Sequence, residues 1–166
     1  MNSLEISKTL DQLKLGDKVL GVFASNQIPS CEVLSLKGLV TNTDPSHERG
    51  THWLALLDTG DTLEFFDTFG LSLDTYPIVF DYVIRCKARK IRRVLGRIQS
   101  YSSNACGLHC LLFLALRNNG VSMNDIVTKV YTDNLTLNDC IALEYLTSKY
   151  YVDSNNLMSL DLDYCK

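Results

Sequence analysis

The spacing of apolar residues changes along the chain, and each period predicts a type of element. Residues 3–15 carry apolar side chains at helical spacing and end at Gly16, which predicts a short helix that covers the core. Residues 18–24 and 38–42 are β-branched and apolar, which is typical of strands. The polar stretch 43–50 then predicts a loop. We therefore expect the chain to begin with a helix followed by strands.

Two strand-like runs with a short connection predict a β-hairpin after this loop. The runs are 52–57 and 62–67, and the residues between them include Gly60. The outer ends of a hairpin are cross-strand neighbours. His52 and Asp67 are therefore expected to lie side by side.

The middle of the chain has a weaker pattern. Residues 75–87 form an apolar, β-branched stretch that slightly favours a helix. Residues 90–99 alternate enough to predict a strand. The partly buried residues of this strand are expected to be Ile91, either Val94 or Leu95, and Ile98.

The last third of the chain has a helical pattern. Residues 106–117 are apolar on nearly every side, which predicts a helix buried in the core that begins at Cys106, with N-cap candidates at 102–105. Two further helices are expected because two capping boxes occur later in the chain. These boxes are Ser122 with Asp125 and Thr136 with Asp139. The second helix is expected to run to about Tyr150.

Length and composition indicate one globular domain spanning residues 1–166. The chain is 46% hydrophobic and 21% charged, which excludes a disordered protein. The longest apolar run, Cys110–Leu116, is much shorter than the roughly 20 residues that span a bilayer, so no membrane association is expected. The N-terminus has no basic region followed by an apolar one, so we do not expect secretion.

The six cysteines are expected to be free thiols in a reducing compartment, because the chain has no export signal. Four are assigned to core packing or, for the last, to the C-terminal tail: Cys31, Cys110, Cys140 and Cys165. A zinc site formed by Cys106, His109 and Cys110 is not expected, since one helical turn holds these residues too close together and no fourth ligand is evident. The sequence therefore predicts no metal.

The net charge of −3 is unevenly distributed. Seven basic residues and no acidic ones lie between residues 85 and 97, so the remainder has nine basic and 19 acidic residues, a net charge of −10. These basic residues are Arg85, Lys87, Arg89, Lys90, Arg92, Arg93 and Arg97. A stripe of one sign on an acidic body is typical of a polyanion-binding surface, and a solvated face explains it equally well.

Cys106 is the candidate nucleophile. A thiol in the first turn of a helix faces the positive end of the helix dipole, which lowers its pKa. The backbone N–H of Cys106 and the side-chain amide of Gln99 could hold an oxyanion. His52 could accept the thiol proton while Asp67 orients the imidazole. The four residues together predict nucleophilic catalysis.

Two other residues compete for these roles. His109 lies one helical turn after Cys106, but no acid that could orient it is apparent in the sequence. It is therefore interpreted as a core or cleft-wall residue. Glu64 and Asp67 lie on opposite faces of the predicted strand, so only one of them can face His52.

Three segments resemble the adenovirus maturation protease (adenain) family. They are Gly-Thr-His-Trp at 50–53, Phe-Asp-Thr-Phe-Gly at 66–70, and Gln-Ser-Tyr-Ser-Ser-Asn-Ala-Cys-Gly-Leu-His-Cys at 99–110. Residues 21–23 and 38–43 are similar as well, so the resemblance covers about 18–118. It implies an α+β fold related to papain, with a central mixed β-sheet flanked by helices and the nucleophile at the N-terminus of a buried helix.

The resemblance also implies the roles of individual residues. It makes Cys106 the nucleophile, His52 the general base, Asp67 the orienting carboxylate and Gln99 an oxyanion donor, and it places Trp53 beside the substrate cleft. Adenovirus enzymes have glutamate in place of Asp67. Proteases of ubiquitin-like proteins share the aspartate, and virophages and Maverick-type transposons have related maturation proteases.

The family implies a monomeric endopeptidase that cleaves viral capsid or scaffold precursors, in the virion and at assembly sites inside the host cell. The chemistry requires no cofactor, but adenovirus proteases are stimulated by double-stranded DNA and by a peptide attached through a cysteine. The basic run 85–97 corresponds to the DNA-contacting stretch, and Cys86 to the peptide-linked cysteine. The segment between Asp67 and Cys106 is shorter in this chain than in the adenovirus proteases.

Three other functions are compatible with the sequence. One is a protease or isopeptidase for ubiquitin-like modifiers, against which the basic run argues mildly. Another is a DNA-binding structural protein with a vestigial triad. The third is acyl transfer by the same residues, since the acyl-enzyme step is common to both reactions.

Overall fold

A five-stranded mixed β-sheet with helices on both faces forms the α+β fold. The structure is a computed structural model and describes residues 1–86 and 90–153, together with 157, 160, 162 and 165. The strands are β1 (Val19–Phe23), β2 (Gly38–Asn42), β3 (Trp53–Asp58), β4 (Thr62–Phe66) and β5 (Lys90–Arg93). They lie in chain order across the sheet. The outer pairs β1·β2 and β4·β5 are parallel, and the inner pairs are antiparallel.

Six α-helices surround the sheet in the described part of the chain. They are α1 (Ser3–Leu13), α2 (Cys31–Leu34), α3 (Pro77–Arg85), α4 (Cys106–Asn118), α5 (Met123–Asp125) and α6 (Leu135–Glu144). The last two continue as π-helical segments, Ile126–Val130 and Tyr145–Lys149. None of the described helices is both long and apolar enough to cross a membrane.

Both faces of the inner strands β2–β4 are largely buried, and each face packs into its own core. Val40 and Phe66 point to the core around α4, where the ring of Phe66 stacks on Phe113 with centroids 4.4 Å apart. Leu39 and Phe65, one residue away on the same strands, point to the core that contains residues of α3. This alternation places successive strand residues in different cores. It explains why the inner strands are nearly continuous apolar runs.

Helix α4 is the central element of the first core. Its residues Cys106–Leu116 are all buried. Gly107 permits a close approach of other elements, since a Cβ there would lie 3.0 Å from Cδ1 of Ile6 and 3.3 Å from Cδ1 of Trp53. The predictions of α1, the hairpin, the helix after residue 75 and the buried helix at Cys106 are confirmed.

The strand predicted over 90–99 is shorter than expected. Only β5 pairs with the sheet, and Ile91 and Leu95 are 43% and 74% exposed. Val94 and Ile98 are buried as expected. The prediction is wrong beyond Arg93 because the chain leaves the sheet edge there, and the N–H of Ile98 donates to the carbonyl of Thr68 instead (2.8 Å).

One of the two predicted capping boxes is correct. The Ser122 hydroxyl accepts from the N–H of Asp125 and caps α5. The box at Thr136 is wrong, because the side chain of Asn134 caps α6 by accepting from the N–H of Leu137 (3.1 Å). Asp139 is buried and makes tertiary contacts instead.

The expectation of six free thiols is wrong for four cysteines. Disulfides join Cys31 to Cys86 and Cys140 to Cys165, with Cα atoms 5.1 and 5.2 Å apart. Cys86 is therefore not a free attachment point for a peptide cofactor. The partners are 55 and 25 residues apart in the chain, so only the tertiary fold brings them together. Cys106 and Cys110 are free and buried.

Candidate active site

Cys106 is the first residue of α4, where the sequence analysis placed the nucleophile. Ala105 occupies the N-cap position and provides no side-chain cap, so none of the hydroxyl or amide candidates at 102–104 serves as the cap. The first-turn N–H groups of a helix have no intrahelical acceptor. Thiolate character at Cys106 is favoured by the helix dipole.

His52 lies directly before β3 and is buried. Its Nε2 is 2.7 Å from Oδ1 of Asp67. The other ring nitrogen, Nδ1, is buried, and the hydrogen bond and charge of Cys106 raise the pKa of the imidazole. The structure therefore brings Cys106, His52 and Asp67 together in that order.

The hairpin register differs slightly from the expected one. Ala55 pairs with Phe66, so Asp67 lies diagonal to His52 rather than directly opposite it. The ring of Phe69 stacks on the imidazole instead, with centroids 4.0 Å apart and planes 7° from parallel. Sequence reasoning missed Phe69, although it lies within the Phe-Asp-Thr-Phe-Gly segment.

Asp67 is held by four donors. Besides His52, the N–H groups of Phe69 and Leu71 each donate to it at 2.9 Å, and the Tyr76 hydroxyl donates at 3.0 Å. Burial raises the pKa of the carboxyl, but the hydrogen bonds from His52 and Phe69 outweigh this effect, and the pKa is lowered. Asp67 is therefore ionised at neutral pH.

Cys106 and His52 shift each other's pKa. Burial raises the pKa of the Cys106 thiol, but the hydrogen bond and positive charge of His52 lower it by more. Burial lowers the pKa of His52, but hydrogen bonds to Asp67 and Cys106 and the charges of both raise it to about 9. These opposite shifts favour the thiolate–imidazolium form of the pair.

Gln99 is buried with a fixed amide orientation. Its Oε1 accepts from the Thr68 hydroxyl at 2.8 Å, and its Nε2 donates to the carbonyl of Ser103 at 2.7 Å. An amide nitrogen has two hydrogens, so the second remains to donate to a ligand. Sequence reasoning missed the roles of Thr68 and Ser103, which depend on contacts across the fold.

A cleft of about 800 Å³ opens beside the nucleophile. Cys106, Gln99, Trp53 and Phe69 line it, and the N-terminal residues Met1–Ser3 form part of the wall. The indole Nε1 of Trp53 donates to the carbonyl of Met1 at 2.9 Å. The structure thus places Trp53 beside the cleft, fixed by the N-terminal segment.

The basic run is divided between two locations. Lys90, Arg92 and Arg93 belong to the exposed edge strand β5. Arg97 lies instead next to the cleft, where its guanidinium carbon is 4.3 Å from the ring centroids of both Phe69 and Tyr101. Arg85 is at the end of α3, and Lys87 and Arg89 are outside the described residues.

The two residues that compete for the catalytic roles, Glu64 and His109, bind other partners. Glu64 is buried away from His52 and accepts from Nε of Arg117 at 2.7 Å. His109 is fully buried with both ring nitrogens bonded, to the Tyr131 hydroxyl (2.9 Å) and to Asp139 (2.8 Å). The sequence analysis found no acid that could orient His109. That expectation is wrong, because Asp139 lies within hydrogen-bond distance of its ring. In the part of the chain that the structure describes, no group of three or more His, Cys, Asp or Glu side chains could hold a metal ion.

Comparisons with known proteins relate this chain to viral proteases, and the family match covers most of it. The model of the family described as adenovirus endoprotease matches residues 19–151. A protease of Porcine adenovirus A serotype 3 is 34% identical over 90 residues, which cover 46% of this chain and 44% of that protein. A crystal structure of the selenomethionine form of the ASFV pS273R protease aligns with a TM-score of 0.41 and 23% identity, over 67% of this chain and 42% of that one. The chain thus spans less than half the length of either protein.

Proposed function

Because this chain belongs to the adenovirus endoprotease family, we propose that it is a cysteine endopeptidase that uses Cys106 as its nucleophile. The observation that supports this most strongly is the buried arrangement of Cys106, His52 and Asp67, with Nε2 of His52 2.7 Å from the carboxylate. A cysteine at the start of a helix would by itself be weak evidence for catalysis. The charged Cys106–His52 pair gives it a chemical role.

The first half of the reaction forms an acyl-enzyme. The Cys106 thiolate attacks the carbonyl carbon of the scissile peptide bond, and the negative charge moves to the carbonyl oxygen. The Cys106 N–H and the free hydrogen of Gln99 Nε2 stabilise this oxyanion. The tetrahedral intermediate collapses as the C–N bond breaks, and His52 gives its proton to the leaving amine.

The second half regenerates the enzyme. The neutral His52 accepts a proton from water, and the resulting hydroxide attacks the thioester carbonyl. The oxyanion forms again at the same donors, and the C–S bond breaks to release a carboxylic acid and the Cys106 thiolate. Asp67 keeps the imidazole oriented and stabilises its positive charge in both halves.

Precursors of viral capsid or scaffold proteins are the proposed substrates, cleaved during maturation in the virion and at assembly sites in the host cell. Family membership supports this substrate class. The bulky side chain of Trp53 lines the cleft together with Cys106, which favours small residues such as glycine at the scissile bond.

Double-stranded DNA is the proposed activating partner. The support is the exposed edge strand β5, whose residues Lys90, Arg92 and Arg93 present positive charge to solvent. Clustered cations on an exposed edge attract the phosphates of a nucleic-acid backbone. The binding is expected to depend strongly on salt.

The decisive test is hydrolysis of an internally quenched peptide containing a Gly-Gly bond, with and without duplex DNA. Cys106→Ala is expected to lower kcat by at least about 10³-fold, because it removes the sulfur that attacks the substrate. The thermal midpoint of unfolding should not fall. Cys110→Ala, which removes the other free thiol, is the matched control and should retain activity. Activity that persists in Cys106→Ala would refute the assignment.

A protease for ubiquitin-like modifiers is the second candidate, because the orienting carboxylate is Asp67 rather than glutamate. A folded ubiquitin-like protein with a C-terminal Gly-Gly extension separates the two functions. Faster cleavage of that fusion than of a capsid precursor would favour the modifier protease.

A further inference from the structure

A second buried His–Asp pair lies behind the proposed active site. Nε2 of His109 is 2.8 Å from Oδ1 of Asp139, and both side chains are fully buried. A carboxylate can only accept, so Nε2 carries the hydrogen, and the Tyr131 hydroxyl occupies Nδ1 at 2.9 Å. Because both nitrogens are occupied, His109 has no free position with which to take a proton from Cys106.

The pair connects the nucleophile helix to α6. His109 lies on α4, three residues after Cys106, and Asp139 lies on α6. The contact joins residues that are 30 positions apart in the chain. It therefore fixes α6 relative to the helix that carries the nucleophile.

Helix α6 in turn holds the segment that contains Gln99. Asn138 Nδ2 donates to the carbonyl of Ile98 at 3.0 Å, and the N–H of Ser100 donates to Oδ1 of Asp139 at a longer 3.5 Å. These contacts flank Gln99 on both sides in the chain. Consecutive residues of α6 thus hold the backbone immediately before and after the proposed oxyanion donor.

Thr68 holds the same segment from the opposite direction. Its carbonyl accepts from the N–H groups of Ile98 (2.8 Å) and Gln99 (3.3 Å), and its hydroxyl donates to Oε1 of Gln99. Gln99 is therefore held between the turn that follows β4 and the middle of α6. The Thr68 hydroxyl bonds the amide of Gln99 itself, whereas the α6 contacts hold the backbone on either side of it.

We propose that His109 and Asp139 are positioning residues that set the distance between the Gln99 amide and Cys106. The proposal rests on the proposed function of Gln99 as an oxyanion donor. Oxyanion stabilisation depends steeply on donor distance, and the loss of one donor typically lowers kcat by about 10²–10³-fold. A displaced donor should produce part of that loss.

The test compares Asp139→Ala with Asp139→Asn in three assays of the full chain: peptide hydrolysis, alkylation of Cys106 by iodoacetamide, and binding of a tripeptide aldehyde ending in glycinal. The aldehyde forms a tetrahedral adduct with Cys106 that needs the oxyanion donors, whereas alkylation does not. Asp139→Ala should lower kcat by about 10–100-fold, with KM changed by less than about threefold. Aldehyde binding should weaken by a similar factor, and the pH profile of alkylation should not move.

The matched variants distinguish a displaced Gln99 from a general loss of protein stability. Asp139→Asn keeps the oxygen that accepts from His109 and Ser100, so its kcat should remain within about fivefold of the wild type. Tyr131→Phe removes one hydrogen bond from His109 and should weaken aldehyde binding by a smaller factor. It serves as the test if Asp139→Ala does not fold. Gln99→Ala should give the same pattern as Asp139→Ala, and the effects of the two should not add.

Two results would overturn the proposal. One is unchanged aldehyde binding in both Asp139→Ala and Tyr131→Phe. The other is a parallel loss of alkylation, which would mean that the nucleophile rather than the oxyanion donor is disturbed. Failure of the proposed function is distinct, since it would appear in the wild type as the absence of both peptide hydrolysis and aldehyde adducts at Cys106.

Discussion

At the scale of single residues, Asp67 determines the state of His52. Four donors hold the carboxylate, and two of them are backbone N–H groups of the turn that follows β4. Phe69 belongs to the same turn and stacks on the imidazole. The orientation of His52 therefore depends on one short segment, Asp67–Leu71, and its charge depends on this segment together with Cys106.

We expect Cys106 to be alkylated by iodoacetamide well below the pH at which an ordinary thiol reacts. The hydrogen bond and charge of His52 lower the pKa of the thiol, so the thiolate persists as the pH falls. His52→Ala removes the largest effects that lower this pKa, so the midpoint of labelling should move to higher pH. Mass spectrometry measures the labelling.

Cys110 is an internal control for this experiment, because burial raises the pKa of its thiol well above the ordinary value. It should remain unlabelled over the same pH range. Labelling of Cys106 with an ordinary thiol profile would contradict the ion pair.

Asp67→Asn should shift the alkaline limit of activity. The imidazolium is present below the pKa of His52, about 9, and is lost as the pH rises through that value. Removing the negative charge of Asp67 lowers this pKa, so activity should decline at a lower pH. We also expect kcat to fall by about 10²–10⁴-fold at the optimum. A pH profile of kcat measures both effects, and an unchanged alkaline limit would contradict the role of Asp67.

At the scale of elements, β5 combines an open sheet edge with a basic sequence. All four of its residues are exposed, and β4 is its only strand neighbour in the described chain. Arg92 Nη1 is 3.7 Å from the buried carboxylate of Glu64, so it is partly neutralised. Lys90 and Arg93 are the residues most available to an external anion.

Replacing Lys90, Arg92 and Arg93 with glutamine should weaken duplex DNA binding and flatten its salt dependence. Each lost phosphate contact is expected to reduce the slope of log K against log salt by about 0.9. Fluorescence anisotropy at several salt concentrations measures the slope. The control variant Lys8→Gln/Lys14→Gln removes two exposed cations of the N-terminal region and should bind normally. Equal losses in both variants would mean that the DNA site is not on β5.

At the scale of the whole molecule, two disulfides connect distant segments. Cys31 and Cys86 pack against the core that contains residues of α3, on the face of the sheet away from α4. The other disulfide anchors Cys165 to Cys140 in α6. Alkylation under non-reducing denaturing conditions should therefore modify only Cys106 and Cys110.

Loss of the Cys31–Cys86 disulfide should lower stability more than activity. In the double variant Cys31→Ser/Cys86→Ser, we expect the free energy of unfolding to decrease by about 2–4 kcal/mol, because a link across 55 residues restricts the unfolded chain. Urea unfolding measures this change. Peptide hydrolysis at low temperature should be retained, since neither cysteine lines the cleft. An equally stable double variant would contradict the pairing.

The sequence by itself determined the local elements and the order of the chemically important residues. The helix that begins at Cys106 and the hairpin between His52 and Asp67 follow from apolar periodicity and turn composition, which depend on neighbouring residues. Strand alternation places Glu64 and Asp67 on opposite faces, and the resemblance to the adenain family identified Asp67 as the residue that faces His52.

Only the tertiary structure decided the contacts between distant segments. The His109–Asp139 pair and the Thr68–Gln99 bond join residues 30 and 31 positions apart. The Cys31–Cys86 disulfide joins residues 55 apart. No periodicity encodes such partners, because they depend on how the elements pack against one another. For the same reason, the sequence suggested a ten-residue strand where the chain leaves the sheet after Arg93 to bring Gln99 next to Thr68.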